Sequence, residues 1–345
     1  LKIFFYDKAE GEMAEYFKER IVAELVRLGH QVETFSQSIK EDKLVRDRHF
    51  QMYDHIFNIL KNRDYDLFFH NNFLAVPEYF LAGLKANPEI KTKIVFFFQF
   101  REINRSMARA LVLNEILEQK QVYRAIGISM VKDPLVPKNY IASGIGNSNK
   151  IKIINETYTE PRKSFINKIQ RPHKPFTIGY FGRQTEAKGI DIFLEATKHI
   201  DKSIKILVNM PHKEWFWENT EERKKFKRIK IDSHFYPIGQ LHKFVDKLDL
   251  IICPHKRSYE YGESGMPGVA FSAGIPIIAP DFYFFNKIVK KYKTGLTFIP
   301  ESPRSLANAI NIAKYLYEEL IFKANFDAAL DNYIEIEEYA RIAVT

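Results

Sequence analysis

The stretch Phe176-Thr-Ile-Gly-Tyr-Phe-Gly182-Arg183-Gln-Thr-Glu-Ala-Lys188-Gly189-Ile190-Asp-Ile-Phe-Leu-Glu-Ala196 decides the fold. Its first six residues are an apolar run of strand length that stops at a glycine. After a short polar loop, Ile190, Ile192, Phe193, Leu194 and Ala196 open a helical pattern that continues to Ile200. Strand, glycine-bounded loop and helix form the start of a βαβ unit. Glycine lets the backbone approach a ligand, and a helix start presents N–H groups and a partial positive charge. Arg183 and Lys188, at the two ends of the loop, are placed to clamp phosphate oxygens. A single Gly-Arg or Lys-Gly pair would suit an ordinary solvated turn; both pairs around one loop favour an anion site.

The same rhythm extends in both directions. Ile204–Val208, Leu248–Cys253 and Ile275–Ala279 read as further strands, with closing helices over Ser305–Leu320 and Asp327–Ile342. Upstream, Lys2–Tyr6 is a strand, and a helix from Gly11 carries Met13, Phe17, Ile21, Leu25 and Leu28 to a stop at Gly29. Gln31–Phe35 then completes the first βαβ unit. Asp66–His70, Lys93–Phe98, Ala125–Ser129 and Lys150–Ile154 repeat the pattern, and the charged, proline-punctuated segment 160–175 reads as a linker. Alternation of this kind means parallel sheets covered on both faces, and 345 residues suit two domains. The fold class is α/β with two Rossmann-like domains, an N-terminal one over 1–160 and a C-terminal one over 170–326.

Composition narrows the function classes. Hydrophobic residues at 46% and charged residues at 28% describe a folding chain. The net charge of +9 favours an anionic partner, whether nucleic acid, an acidic membrane surface or a phosphorylated small molecule. The run Glu221–Lys230 mixes acids and bases at helical spacing and reads as a solvated helix face, so nucleic acid is not expected as a partner. Cys253 sits in an apolar run and reads as a small buried hydrophobe. No stretch approaches the ~18–20 apolar residues of a bilayer span and no signal-peptide pattern is visible. A cytoplasmic location is expected, with peripheral contact to the acidic cytoplasmic membrane face. No Asp-x-Asp stands at a strand end, so neither metal nor cofactor is expected.

A second constellation, Glu260-Tyr-Gly-Glu263-Ser-Gly265-Met266-Pro267-Gly268-Val269, runs on to Gly274-Ile-Pro276 and Asp281. A Gly-rich loop here enters a helix of small residues, which ends at Gly274 before a buried strand. His255-Lys-Arg257, between strand 248–253 and this loop, adds charges placed to help neutralise a phosphate.

Together the two stretches resemble the retaining glycosyltransferases of family 4, which have the GT-B fold: two Rossmann-like domains facing a central cleft. The resemblance implies that Gly182, Arg183 and Lys188, with Gly265, Met266, Pro267, Gly268 and Val269, bind the donor, a UDP- or GDP-linked sugar. It implies that Arg183 and Lys188 hold the pyrophosphate, that Glu263 (or Glu260) faces the transferred sugar, and that the helix 327–345 crosses back to the N-terminal domain. The implied activity is anomer-retaining transfer, of a hexose by expectation, to a glycan, lipid or other acceptor in polysaccharide or glycolipid biosynthesis. A catalytically silent sugar-nucleotide-binding subunit and a GT-B sugar-nucleotide epimerase are the alternatives.

The chain departs from that family in its paired-glutamate motif. Eight positions beyond Glu263 stands Phe271, and eight beyond Glu260 stands Gly268; counted back from Gly274-Ile-Pro276, the second glutamate falls at Val269 or Ala270. The family's glycine-rich first loop is reduced to Gly11, and Gln99 or Arg101 follows the strand after which the family often has a histidine. Either side chain is placed to hydrogen-bond a sugar or phosphate, while a surface Arg101–Glu102 pair is the plainer reading. His70, at another strand end, reads as a structural histidine.

Overall fold

The computed structural model describes residues 1–7, 12–35, 45–71, 77–99, 107–129, 149–155, 173–182, 186–210, 227–237, 240–259, 264–318, 325–330 and 336–345. The chain divides into two compact units, one of Leu1–Glu156 with Ile334–Thr345, the other of Thr157–Tyr333.

In the first unit six strands, β1 (Lys2–Asp7), β2 (Gln31–Phe35), β3 (Leu67–Asn71), β4 (Lys93–Gln99), β5 (Val122–Ser129) and β6 (Ile151–Asn155), form one sheet. The order is β2-β1-β3-β4-β5-β6 and every pairing is parallel. Side chains alternate across a strand, so the continuous apolar runs fill two cores at once. Phe4, Tyr6, Phe68 and Phe96 pack on one face with buried residues of α2 (Val45–Asn62), α3 (Pro77–Ala86) and α4 (Met107–Glu118). Ile3, Phe5, Phe69 and Phe97 face the other way. There they meet Ile21 and Leu25 of α1 (Glu12–Arg27) and Tyr339, Ala340, Ile342 and Ala343 of the last helix, Ile336–Val344.

That last helix is tied to α1 by ions as well. Arg20 donates to Glu337 at 2.5 Å, and Glu24, buried at 5% exposure, accepts from Arg27 at 2.5 Å and Arg341 at 2.9 Å. The guanidinium of Arg27, then that of Arg341, holds the Glu24 carboxyl down at about 2, against burial, which pushes it up.

The second unit contains β7 (Thr177–Tyr180), β8 (Lys205–Asn209), β9 (Ile229–Asp232), β10 (Leu250–Ile252), β11 (Ile277–Pro280) and β12 (Gly295–Phe298). They are parallel in the order β12-β11-β10-β7-β8-β9. Its helices are α5 (Ile190–Ala196), α6 (His242–Val245), α7 (Gly265–Ser272), α8 (Tyr283–Tyr292), α9 (Pro303–Glu318) and α10 (Phe326–Leu330). The entry to the unit is fastened by Asp249, whose buried carboxylate accepts from the backbone N–H groups of His173 at 2.8 Å and Thr177 at 2.7 Å.

Two expectations meet the structure here. Of the closing helix expected over 327–342, Phe326–Leu330 and Ile336–Val344 are helical, and 331–335 lie outside the described residues. Phe326 and Ala329 of α10 are buried in the second unit, where Phe326 meets Phe271, whereas the last helix buries its face in the first. The helical reading of Glu221–Lys230 is corrected at Ile229 and Lys230, since Ile229–Asp232 pairs with β8 as an edge strand, Ile229 being buried in register with Ile206; 221–226 lie outside the described residues.

Candidate functional site

The second unit begins at β7, builds outward to β8 and β9, and then crosses to the opposite side of β7 to lay down β10. The loops leaving β7 and β10 therefore diverge, and the crevice at the carboxyl ends of these neighbouring strands is where open α/β sheets bind ligands. The sequence puts its unusual residues there. Gly182 follows β7 with φ 113°, a conformation natural to glycine, and Met266 Sδ lies 3.9 Å from where a Cβ on it would stand.

The β7 loop is pinned to the β10 loop from beneath. Gly189 has φ 66° and passes so close to Pro254 that a Cβ would lie 1.9 Å from its carbonyl oxygen. The N–H of Lys256 donates to the Ala187 carbonyl at 3.0 Å. The Lys256 ammonium lies 2.9 Å from Asp191, so this cation is engaged within the loop pair.

Lys188 is the centre of the arrangement. Its ammonium lies 3.2 Å from His255 Nε2, donates to Ser264 Oγ at 3.2 Å, and stands over the Tyr259 ring at 4.4 Å from its centroid. Ser264 precedes α7 at the N-cap position, yet its side chain makes no cap hydrogen bond and turns to Lys188 and His255 instead. The first-turn N–H groups of Gly265, Met266 and Gly268 have no intrahelical acceptor by construction, and Pro267 contributes none. A Cβ built on exposed Gly265 would meet no atom within 4 Å beyond its own helix and chain neighbours. Together these residues present a cation and a helix N-terminus, a combination suited to an anion.

Lys188, Gly182, Met266 and His255 thus cluster at the carboxyl ends of β7 and β10. His255 is fully buried and presents no exposed charge. Val269 and Ala270, where the second carboxylate of the family falls, are buried at 5% and 0% exposure and serve packing. Cys253 is buried as expected of a small hydrophobe, and burial pushes its thiol up to about 12. Arg183, Glu260, Glu263, Gly11 and Arg101 lie outside the described residues, as does the side chain of Gln99. Sequence reading missed Ser264 and Tyr259. A serine before a helix-opening glycine is a cap signal, but nothing local says that the hydroxyl turns elsewhere.

No helix among the described residues is long and apolar enough to cross a membrane. No curated protein sequence matches the chain. Solved structures do match it over nearly its full length. The sucrose-phosphate synthase of Thermosynechococcus elongatus superposes with a TM-score of 0.70 at 15% identity, covering 99% of this chain and 97% of that one. Anabaena Alr3699/HepE, solved in complex with UDP and glucose, has a TM-score of 0.66 at 14% identity, covering 100% and 98%. The UDP-GlcNAc 2-epimerase of Methanocaldococcus jannaschii has a TM-score of 0.62 at 13% identity, covering 100% and 99%. Residues 161–319 match the family model described as glycosyl transferases group 1, and the chain as a whole has the two-domain α/β GT-B fold.

Proposed function

We propose that the protein is a retaining glycosyltransferase that moves a sugar, by our reading a hexose, from a UDP- or GDP-linked donor to a glycan or lipid acceptor. The observation that carries this reading is the Lys188 ammonium at the switch-point crevice of the second unit, beside the N-terminus of α7 and within the segment that matches the family model. The bond from the sugar C1 to the diphosphate oxygen breaks, and the acceptor oxygen bonds to C1 with the anomeric configuration kept. The acceptor proton leaves with the diphosphate. Charge builds on the departing diphosphate, where preorganised cations and N–H dipoles stabilise a transition state most. Lys188, Arg183 and the first turn of α7 supply them, and Glu263 contacts the sugar. Domains at 1–160 and 170–326, and association with an acidic membrane surface, belong to the same reading.

Turnover of labelled UDP- and GDP-sugars by the purified protein tests it, and separates an enzyme from a silent binding subunit. Replacing Lys188 with Ala weakens UDP or GDP binding at least about tenfold, since a charge-assisted contact is worth roughly 1.5–3 kcal/mol. Unchanged affinity in a folded variant would refute the site. Glu263→Gln lowers turnover more than it lowers binding of the bare nucleotide, because only the donor carries the sugar.

A further inference from the structure

His255 combines complete burial with direct contact to a cation, and the reaction scheme gives it no role. Its Nε2 lies 3.2 Å from the Lys188 ammonium and 3.1 Å from Ser264 Oγ, and Lys188 and Ser264 are themselves 3.2 Å apart, so the three polar atoms form a nearly regular triangle. An ammonium only donates. An imidazole N–H aimed at it would oppose one donor with another, so the contact with the ammonium calls for a lone pair on Nε2 and a ring proton on Nδ1. An imidazolium here would add like-charge repulsion to the desolvation of a buried charge. Among the described residues, the groups set against the ring are Lys188 from the β7 loop, Tyr259 from its own turn, Ser264 before α7 and Phe285 from α8.

We propose that His255 is a positioning residue, a neutral imidazole protonated on Nδ1, whose Nε2 acts with the Ser264 hydroxyl to aim the Lys188 ammonium at the diphosphate of the nucleotide sugar. A lysine on its four-carbon stem has many rotamers. The contacts to His255 and Ser264 restrict which rotamer the ammonium takes, and the Tyr259 face holds the stem end from the side. The histidine therefore does not neutralise phosphate with a charge of its own; it is the acceptor that orients one. This inference rests on the reading that a diphosphate binds at Lys188, and its two tests separate the two claims.

The first test needs no ligand. In the free protein labelled with 15N-histidine, the signal assigned to His255 by its loss in His255→Gln shows the Nδ1–H tautomer at neutral pH. In Lys188→Ala the same ring titrates at a higher pH than in the unaltered protein. An Nε2–H tautomer, or a ring that titrates identically with and without Lys188, overturns the proposal.

The second test measures UDP and GDP binding by calorimetry. Lys188→Ala and His255→Leu both weaken the nucleotide that binds, by about tenfold or more and about five- to tenfold. His255→Gln, whose amide oxygen reaches the Nε2 position and accepts, stays within about threefold of the unaltered protein. Full affinity in a folded His255→Leu while Lys188→Ala is impaired overturns the positioning role and leaves the site standing. Full affinity in Lys188→Ala overturns the diphosphate site itself, and with it the target of the aim.

Discussion

Each sheet has a switch point, and the two differ in what the chain puts there. In the first unit it lies between β1 and β3, where Asn71 donates to the Asp7 carboxylate at 2.8 Å. His70, fully buried beside them, meets the Asn71 carbonyl through Nδ1 at 2.9 Å and the Tyr53 hydroxyl through Nε2 at 3.2 Å. A carbonyl only accepts, so Nδ1 donates, and in a neutral ring Nε2 then accepts from the Tyr53 hydroxyl. In the second unit His255 is buried to the same degree, yet its Nε2 faces an ammonium. Topology thus offers the same place twice. The sign of the nearby charge, a carboxylate in one and an ammonium in the other, decides which suits a diphosphate.

The largest effect expected from breaking this comparison is that of Gly189→Ala. Left-handed backbone and a Cβ driven into the Pro254 carbonyl together cost about 3 kcal/mol or more, and nucleotide binding is lost because Lys188 and His255 are pulled apart. The control is Gly29→Ala, at φ 85° with nothing within 4 Å of the added carbon, which costs about 1 kcal/mol and leaves binding intact. Equal urea midpoints for the two variants would remove the pinned-loop argument.

Next in size, His70→Leu strands the Tyr53 hydroxyl in the core and costs about 1–3 kcal/mol. Nucleotide affinity stays unchanged, and a loss of affinity without a loss of stability would reverse the roles assigned to the two histidines.

The smallest effect is confined to acid. Glu24 titrates at about 2 in the folded protein against an ordinary 4.5, so its stabilisation is full above 4.5 and is lost as the pH falls toward 2. In Glu24→Gln the stability of the first unit depends less steeply on pH below 4.5. The second unit, which lacks this carboxylate, responds identically in both proteins.

The strands buried on both faces were legible because they are unbroken apolar runs: Phe4 and Phe5, Phe96 and Phe97, Leu250 to Ile252. The two strands of the second sheet that the pattern missed, β9 and β12, are its two edges. Ile229-Lys-Ile-Asp alternates like a half-exposed strand and is preceded by a charged run of helical spacing. Gly295-Leu-Thr-Phe is four residues long and opens on a glycine. Edge strands carry the weakest hydrophobic signal because half their surroundings are missing. In the site, Lys188 was legible from its place beside Gly189, whereas its tie to Ser264, 76 positions away, depends on strand order. No short window of sequence contains that order.

The last helix has a consequence for synthesis. Phe5, Phe69 and Phe97 on one face of the first sheet are covered in part by residues 336–344, which leave the ribosome only after 157–333 have been made. At roughly 5–20 residues per second, that interval lasts on the order of ten seconds or more. During it the nascent first unit presents an aromatic face to solvent or to whatever holds it, while the second unit already has every strand of its own sheet in hand once β12 emerges. The half that is made first is therefore the half that is finished last.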